Sequence, residues 1–213
     1  MEWEEFLDPY VQAVGELKIK LRGIRKQYRK QQRHSPIEFV TGRVKSVESI
    51  QEKMKLQGIH LGNLAQDMQD IAGLRIMVQF EDDIAEVLQV LHQRQDMRIV
   101  LERDYITHKK PSGYRSYHVI IEYPVDTIDG NKLVLAEIQI RTLAMNFWAT
   151  IEHSLNYKYK GEFPEAIHER LERAAEAAFL LDEEMSEIRE EIQEAQYIFA
   201  ICKENQRKRK KRR

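Results

Sequence analysis

Two stretches of this chain alternate apolar and polar residues without a break, and nothing else in it narrows the possible folds as much. Leu74, Ile76, Val78 and Phe80 share one parity while Arg75, Met77 and Gln79 share the other. Val134, Ala136, Ile138 and Ile140 likewise alternate with Glu137, Gln139 and Arg141. Successive side chains of a strand point to opposite faces, so a period of two means strands with one buried face. A further strand over residues 116–123 is separated from the one over 132–141 by the turn-rich Asp126-Thr127-Ile128-Asp129-Gly130-Asn131, which predicts an antiparallel hairpin. Shorter extended pieces fall at 39–44 and near 97–101.

The remaining periodicity is helical. Leu7, Tyr10, Val14, Leu17, Leu21, Ile24 and Tyr28 step by threes and fours, one narrow apolar seam on a helix that His34-Ser35-Pro36 stops. That seam suits the protein's own core first, and a second subunit next. Ser46 can cap a helix that Gly58 ends, another helix spans about 84–91, and two more run over 142–159 and from Glu165 to near Lys203. The order predicts an α+β domain, a mixed β-sheet flanked by helices with long N- and C-terminal helices. Residues 1–204 form one domain in this reading, with helices over 1–33 and 165–204. Residues 205–213 are read as a basic, disordered tail.

Charge sharpens this. The last seven residues hold seven of the 34 cations, and without them 27 remain against 35 anions, a charge of −8. Generic binding of polyanions by the whole surface is therefore excluded. The single cysteine, Cys202, rules out an internal disulfide and a cysteine-based zinc cluster. With an acidic N-terminus and no apolar run of membrane-spanning length, the expectation is a cytoplasmic protein without a membrane segment.

The polar face of the sheet carries Arg75, His118, Glu137 and Gln139. A sheet covered on one side shows polar residues to water for no chemical reason, and that reading stands beside a functional one. The functional one draws on the mixture, which contains an acid, a base and cations. Asp70, just ahead of the Arg75 strand, can meet Glu137 at one end of a sheet and form a two-carboxylate magnesium site. Cations recur in separate segments at Arg43, Lys45, Lys53, Arg103, Lys109 and Lys110, as a magnesium-bound polyphosphate would require.

Four segments then stand out: Gly42-Arg43-Val44-Lys45-Ser46, Gln69-Asp70-Ile71-Ala72-Gly73-Leu74-Arg75, Ser112-Gly113-Tyr114-Arg115-Ser116-Tyr117-His118 and Glu137-Ile138-Gln139-Ile140-Arg141-Thr142. In this order, and followed by Ala144-Met145-Asn146-Phe147-Trp148-Ala149-Thr150-Ile151-Glu152-His153, they resemble the synthetase domain of the RelA/SpoT family, specifically its stand-alone small alarmone synthetases of the RelQ type. The resemblance implies a nucleotidyltransferase-like fold. It also implies magnesium-dependent transfer of pyrophosphate from ATP to the ribose 3′-hydroxyl of GDP or GTP, giving AMP and ppGpp or pppGpp. Arg43 and Arg75 match arginines that sandwich adenine, a task that suits the planar guanidinium. Lys45, Lys53 and Arg103 match positions that hold the ATP phosphates. Asp70 and Glu137 match the magnesium carboxylates, and Glu137 is also the candidate general base. Tyr114 matches the residue stacked on guanine, with Lys110, Ser112, His118, Gln139, Asn146 and Glu152 around the acceptor.

No histidine is followed by aspartate, so the paired metal motif of the family's hydrolase domain is missing and synthesis without hydrolysis is expected. Resemblance further implies a homotetramer, with Lys18, Arg22, Phe39 and Thr41 as candidates for binding product between subunits. The acidic residues of the last helix, Asp182, Glu183, Glu184, Glu187, Glu190, Glu191 and Glu194, read as a solvated outer face. A contrasting reading, motivated by the basic tail, is an RNA-binding regulatory module with a vestigial nucleotide pocket, the tail holding single-stranded RNA through its phosphates.

Overall fold

The structure, a computed structural model, describes residues 2–158 and 164–211, with side chains for all of these except 156–158, 202 and 204–211. Helix α1 (Trp3–Lys30) leads into strand β1 (Phe39–Val44), helix α2 (Val47–Gln57), a 3-10 turn (Leu61–Asn63) and the short helix α3 (Leu64–Asp67). Then come β2 (Ala72–Val78), α4 (Asp82–His92), β3 (Arg98–Asp104), β4 (Tyr117–Thr127), β5 (Gly130–Thr142), α5 (Leu143–Lys158) and α6 (Glu165–Lys211). Ser46 caps α2, its hydroxyl accepting from the Ser49 amide at 3.3 Å, and Gly58 ends it at φ 68°, where a side chain would be strained. The turn and α3 carry no clear apolar period, which is why the sequence reading leaves them unassigned.

The five strands form one mixed sheet in the order β1-β2-β5-β4-β3, with β2 and β5 parallel and every other pair antiparallel. The expected hairpin is present but longer, from Tyr117↔Ile140 out to Thr127↔Gly130. A partner strand keeps supplying hydrogen bonds past the point where the apolar alternation fades. Helix α1 lies on the apolar face of this sheet and buries Tyr10, Ala13, Val14, Leu17 and Leu21 in one core with Val40, Leu74, Ile76, Ile138 and Ile140. Its seam thus serves the protein's own core.

The backbone of the last helix runs to Lys211, past the end expected near Lys203. No proline or glycine follows Pro164, and the Lys, Arg and Gln residues there are good helix formers whose cations favour a helix C-terminus. One expectation needs correction, that of a solvated acidic face: Asp182 is not part of it. It is only 6% exposed, because α6 docks there on the end of β5 and Thr142 donates its hydroxyl to the carboxylate at 2.5 Å. The six glutamates named with it are exposed as expected.

Candidate active site

The strand order turns the polar faces of five strands into one surface. Thr41 on β1 pairs with Arg75 on β2, Arg75 with Gln139 on β5, Gln139 with His118 on β4, and His118 with Arg103 on β3. One register further along, Arg43 pairs with Gly73 and Gly73 with Glu137. Helix α5 approaches this face, and between them opens a cavity of about 710 Å³ lined by Arg43, Asp70, Arg75, Lys110, Tyr114, His118, Glu137, Gln139, Arg141 and Glu152. Asp70 and Glu137, 67 positions apart in the chain, face the same space.

Asp70 occupies the loop before β2. Lys45 reaches it at 2.5 Å from the end of β1, and Lys53 at 2.9 Å from α2. Burial alone would push this carboxyl up, but the hydrogen bonds and charges of the two lysines outweigh it and hold the group below its usual value. The lysines therefore sit behind Asp70 and do not line the cavity themselves. Arg103 stands nearby, donating to Gln69 Oε1 at 2.9 Å.

Both Glu137 oxygens accept a hydrogen bond, and both chains of donors begin at Arg141. Arg141 Nη2 donates to the Tyr114 hydroxyl at 2.5 Å; that hydroxyl hydrogen-bonds with His118 Nε2 at 2.8 Å, and His118 Nδ1 donates to Glu137 Oε1 at 2.9 Å. The same Nη2 also donates to Gln139 Oε1 at 2.8 Å, and Gln139 Nε2 to Glu137 Oε2 at 2.8 Å. The carboxylate thereby sets the His118 proton on Nδ1. Burial raises the Glu137 carboxyl, the His118 bond and charge and the Gln139 bond lower it, and the net direction is down. Glu137 is thus ionised at neutral pH, with lone pairs left on each oxygen for a substrate hydroxyl. Arg75, in the middle of the face, has its own ionisation lowered by burial and by Arg141, and its Nε is buried without a partner.

At the other end, Lys110 lies over the rings of Tyr105 and Tyr114, at 4.7 and 4.9 Å. Ser112 lines an adjoining cavity of about 350 Å³, and Glu152 lies in the wall shared by the two. Asn146, on the first turn of α5, does not line the larger cavity, and its Oδ1 is buried without a partner. The four residues considered for product binding are split by β1. Thr41 faces the reaction cavity and Phe39 shares its parity, whereas Lys18 and Arg22 belong to α1 behind the strand, Arg22 donating to the Val40 carbonyl at 3.0 Å.

Sequence reasoning gave Arg141 no role, and passed over Ala149, Thr150 and His153, which line the cavity from α5. Arg141 shares the parity of Glu137 and Gln139, and 146, 149, 150 and 153 fall on one helical face, so both signals were there to be read.

Residues 42–162 match the family model described as the region found in RelA/SpoT proteins. This chain belongs to the RelA/SpoT family. It is 62% identical over 199 residues to the GTP pyrophosphokinase YjbM of Bacillus subtilis, covering 93% of this chain and 94% of that one. A GTP pyrophosphokinase family protein from Streptococcus pneumoniae superposes with a TM-score of 0.87 at 74% identity, over 92% of this chain and 97% of that one. Small alarmone synthetase 1 of B. subtilis matches as its complex with the product pppGpp, at a TM-score of 0.87, 62% identity and 90% and 98% coverage. It also matches as its complex with AMPCPP, at 0.80, 58%, and 91% and 98%. The RelA/SpoT fold and the cavity thus come together: the matched region begins on β1 and takes in every strand that lines it.

Proposed function

We propose that this protein is a small alarmone synthetase that moves pyrophosphate from ATP to the ribose 3′-hydroxyl of GDP or GTP, releasing AMP and ppGpp or pppGpp, and that it does not hydrolyse them. The observation that carries this reading is the convergence of Asp70 and Glu137 on a single cavity whose sheet wall otherwise presents Arg43, Arg75, His118, Gln139 and Arg141. The pppGpp and AMPCPP complexes of the B. subtilis relative support it.

The reacting atoms balance as follows. The acceptor O3′ bonds to the β-phosphorus of ATP, the bond from that phosphorus to the oxygen kept by AMP breaks, and the hydroxyl proton passes to Glu137. Glu137 is held for this by His118 and Gln139, which stop the carboxylate from turning away. Arg43 and Arg75 provide two guanidinium groups on adjacent strands for the adenine. Lys45 and Lys53, from behind Asp70, and Arg103 beside Gln69 add positive charge to the phosphate end, and Lys110 and Tyr114 receive the guanosine nucleotide. Magnesium suits the donors present: two ionised carboxylates face one cavity, and this ion is commonly held by one or two carboxylates together with substrate phosphates and water. Among the described residues no cluster of three or more His, Cys, Asp and Glu groups could hold a metal by itself. Asp70 and Glu137 would hold the ion, which would offset charge on the transferred phosphates.

Exposed Leu143, Phe147, Ile151 and Leu155 recur every fourth residue on α5, and exposed Leu181, Met185, Ile188 and Ile192 step by fours and threes on α6. Unpaired apolar stripes of this kind fit helix packing between copies; the homotetramer we assign rests on the resemblance to stand-alone small alarmone synthetases, and the cytoplasmic location on the single cysteine. The activity is tested by incubating the protein with magnesium, ATP and GTP. AMP should accumulate together with a more anionic guanosine nucleotide, and the absence of AMP refutes the reading.

A further inference from the structure

The loop over residues 105–116, between β3 and β4, brings Lys110, Ser112 and Tyr114 to the cavity, yet it is anchored elsewhere. At its start the Asp104 carboxylate accepts from the Ile106 and Thr107 amides at 2.8 and 3.0 Å and from the Thr107 hydroxyl at 2.6 Å. Its far end is seated on two turns of α6. Gly113, at φ 84°, lies so close that a Cβ there would meet the Ala175 Cβ at 2.6 Å. Arg115, only 7% exposed, donates to Glu176 Oε2 at 3.0 Å and to the Ala175 carbonyl at 3.3 Å, and stacks on the Phe179 ring at 4.0 Å. Lys109 donates to the same Glu176 oxygen at 3.2 Å. Neither Arg115 nor Glu176 lines the reaction cavity. Tyr114 sits between the two residues packed on α6, Gly113 and Arg115, and its hydroxyl is shared with His118 and Arg141.

We infer that the α6 segment 172–179 is the seat of this loop and that Arg115, through its contacts with Glu176, Ala175 and Phe179, is the positioning residue that sets Tyr114 and Lys110 over the guanosine acceptor. A guanidinium buried against a ring and bonded to both a carboxylate and a carbonyl fixes the backbone on either side of it. Tyr114 then needs little further ordering when the nucleotide arrives, which raises affinity without adding a contact. On the reading that Lys110 and Tyr114 receive GDP or GTP, the effect falls on the acceptor and spares ATP, whose residues come from α2 and from β1, β2 and β3, outside the loop.

The test compares Arg115→Met, Arg115→Lys and Glu176→Gln with the wild type in the full-length protein. Arg115→Met should raise KM for GTP roughly tenfold or more while KM for ATP and kcat at saturating GTP change less than about twofold. Arg115→Lys, which can still pair with Glu176, should recover part of the loss. Glu176→Gln changes a partly exposed side chain, and should shift KM for GTP in the same direction. Hydrogen exchange without nucleotide gives a readout independent of turnover: amides of residues 109–115 should exchange faster in Arg115→Met and in Glu176→Gln, and those of β2 and β5 should not. Unchanged exchange in the loop overturns the seat. Faster exchange with an unchanged KM for GTP, or with KM for ATP shifted equally, overturns the role in acceptor positioning. A wild-type protein that makes no AMP overturns the reading of function, while loop exchange still decides whether α6 is the seat.

Discussion

Replacing Asp182 by asparagine should make the protein more stable near neutral pH and leave it almost unchanged in mild acid. Asp182 is 6% exposed, and among the described residues its one hydrogen bond comes from the Thr142 hydroxyl and it makes no ion pair. Burial pushes its carboxyl up from 3.8 to about 6, against the opposing pull of the Thr142 bond. The folded state therefore prefers the protonated acid more than the unfolded chain does. This contribution is fully present below the unfolded value and is lost as pH rises through about 6, so at pH 7 the ionised carboxylate is a net cost. A difference of about two units is worth about 3 kcal/mol at 1.36 kcal/mol per unit. Asparagine is nearly isosteric, can still accept from Thr142 through its carbonyl oxygen, and does not ionise. In a chain of this length that gain corresponds to a rise in Tm of about 6–12 °C at pH 7.5, shrinking to about 1–2 °C at pH 4. Thermal unfolding followed by circular dichroism at both pH values measures it. Equal Tm differences at the two pH values, or an Asp182→Asn protein that melts earlier at pH 7.5, would show that burial does not disfavour this charge as argued.

Glu137→Gln keeps the shape and the Gln139 bond but removes the proton acceptor, so kcat should fall about 10²- to 10⁴-fold with Tm within a few degrees of wild type; turnover within tenfold of wild type assigns the base elsewhere. Asp70→Asn leaves Lys45 and Lys53 without their shared counter-ion and removes one magnesium carboxylate. The magnesium concentration for half-maximal rate should rise roughly tenfold or more, and an unchanged magnesium titration takes Asp70 out of the metal site.

Much of the candidate site was legible in the order of residues. Parity put Arg75, Glu137, Gln139 and Arg141 on the polar faces of their strands before any coordinates, because in a strand the side chain direction follows from position alone. Of the residues that the RelA/SpoT-like motifs named, Arg43, Asp70, Arg75, Lys110, Tyr114, His118, Glu137, Gln139 and Glu152 line the cavity, and Lys45, Lys53, Arg103, Ser112 and Asn146 do not. What parity left out was who pairs with whom. Thr41, counted with Lys18 and Arg22 as a possible product contact, lies in the same cross-strand row as His118 only because β1 joins β2, and β2 joins β5 in parallel.

Side-chain periods, caps and breakers are local, and the sequence alone settled what depends on them: the apolar seam of α1, the Ser46 cap and Gly58 stop of α2, the hairpin, and the polar faces where chemistry can sit. The strand order, the seating of α6 on Arg115 and Gly113, the burial of Asp182 against Thr142 and the double role of Arg141 awaited the tertiary structure. Each joins residues whose separation in sequence has no periodic signature. Burial and partnership there are decided by which helix docks over which strand end, through many weak contacts summed over the whole core.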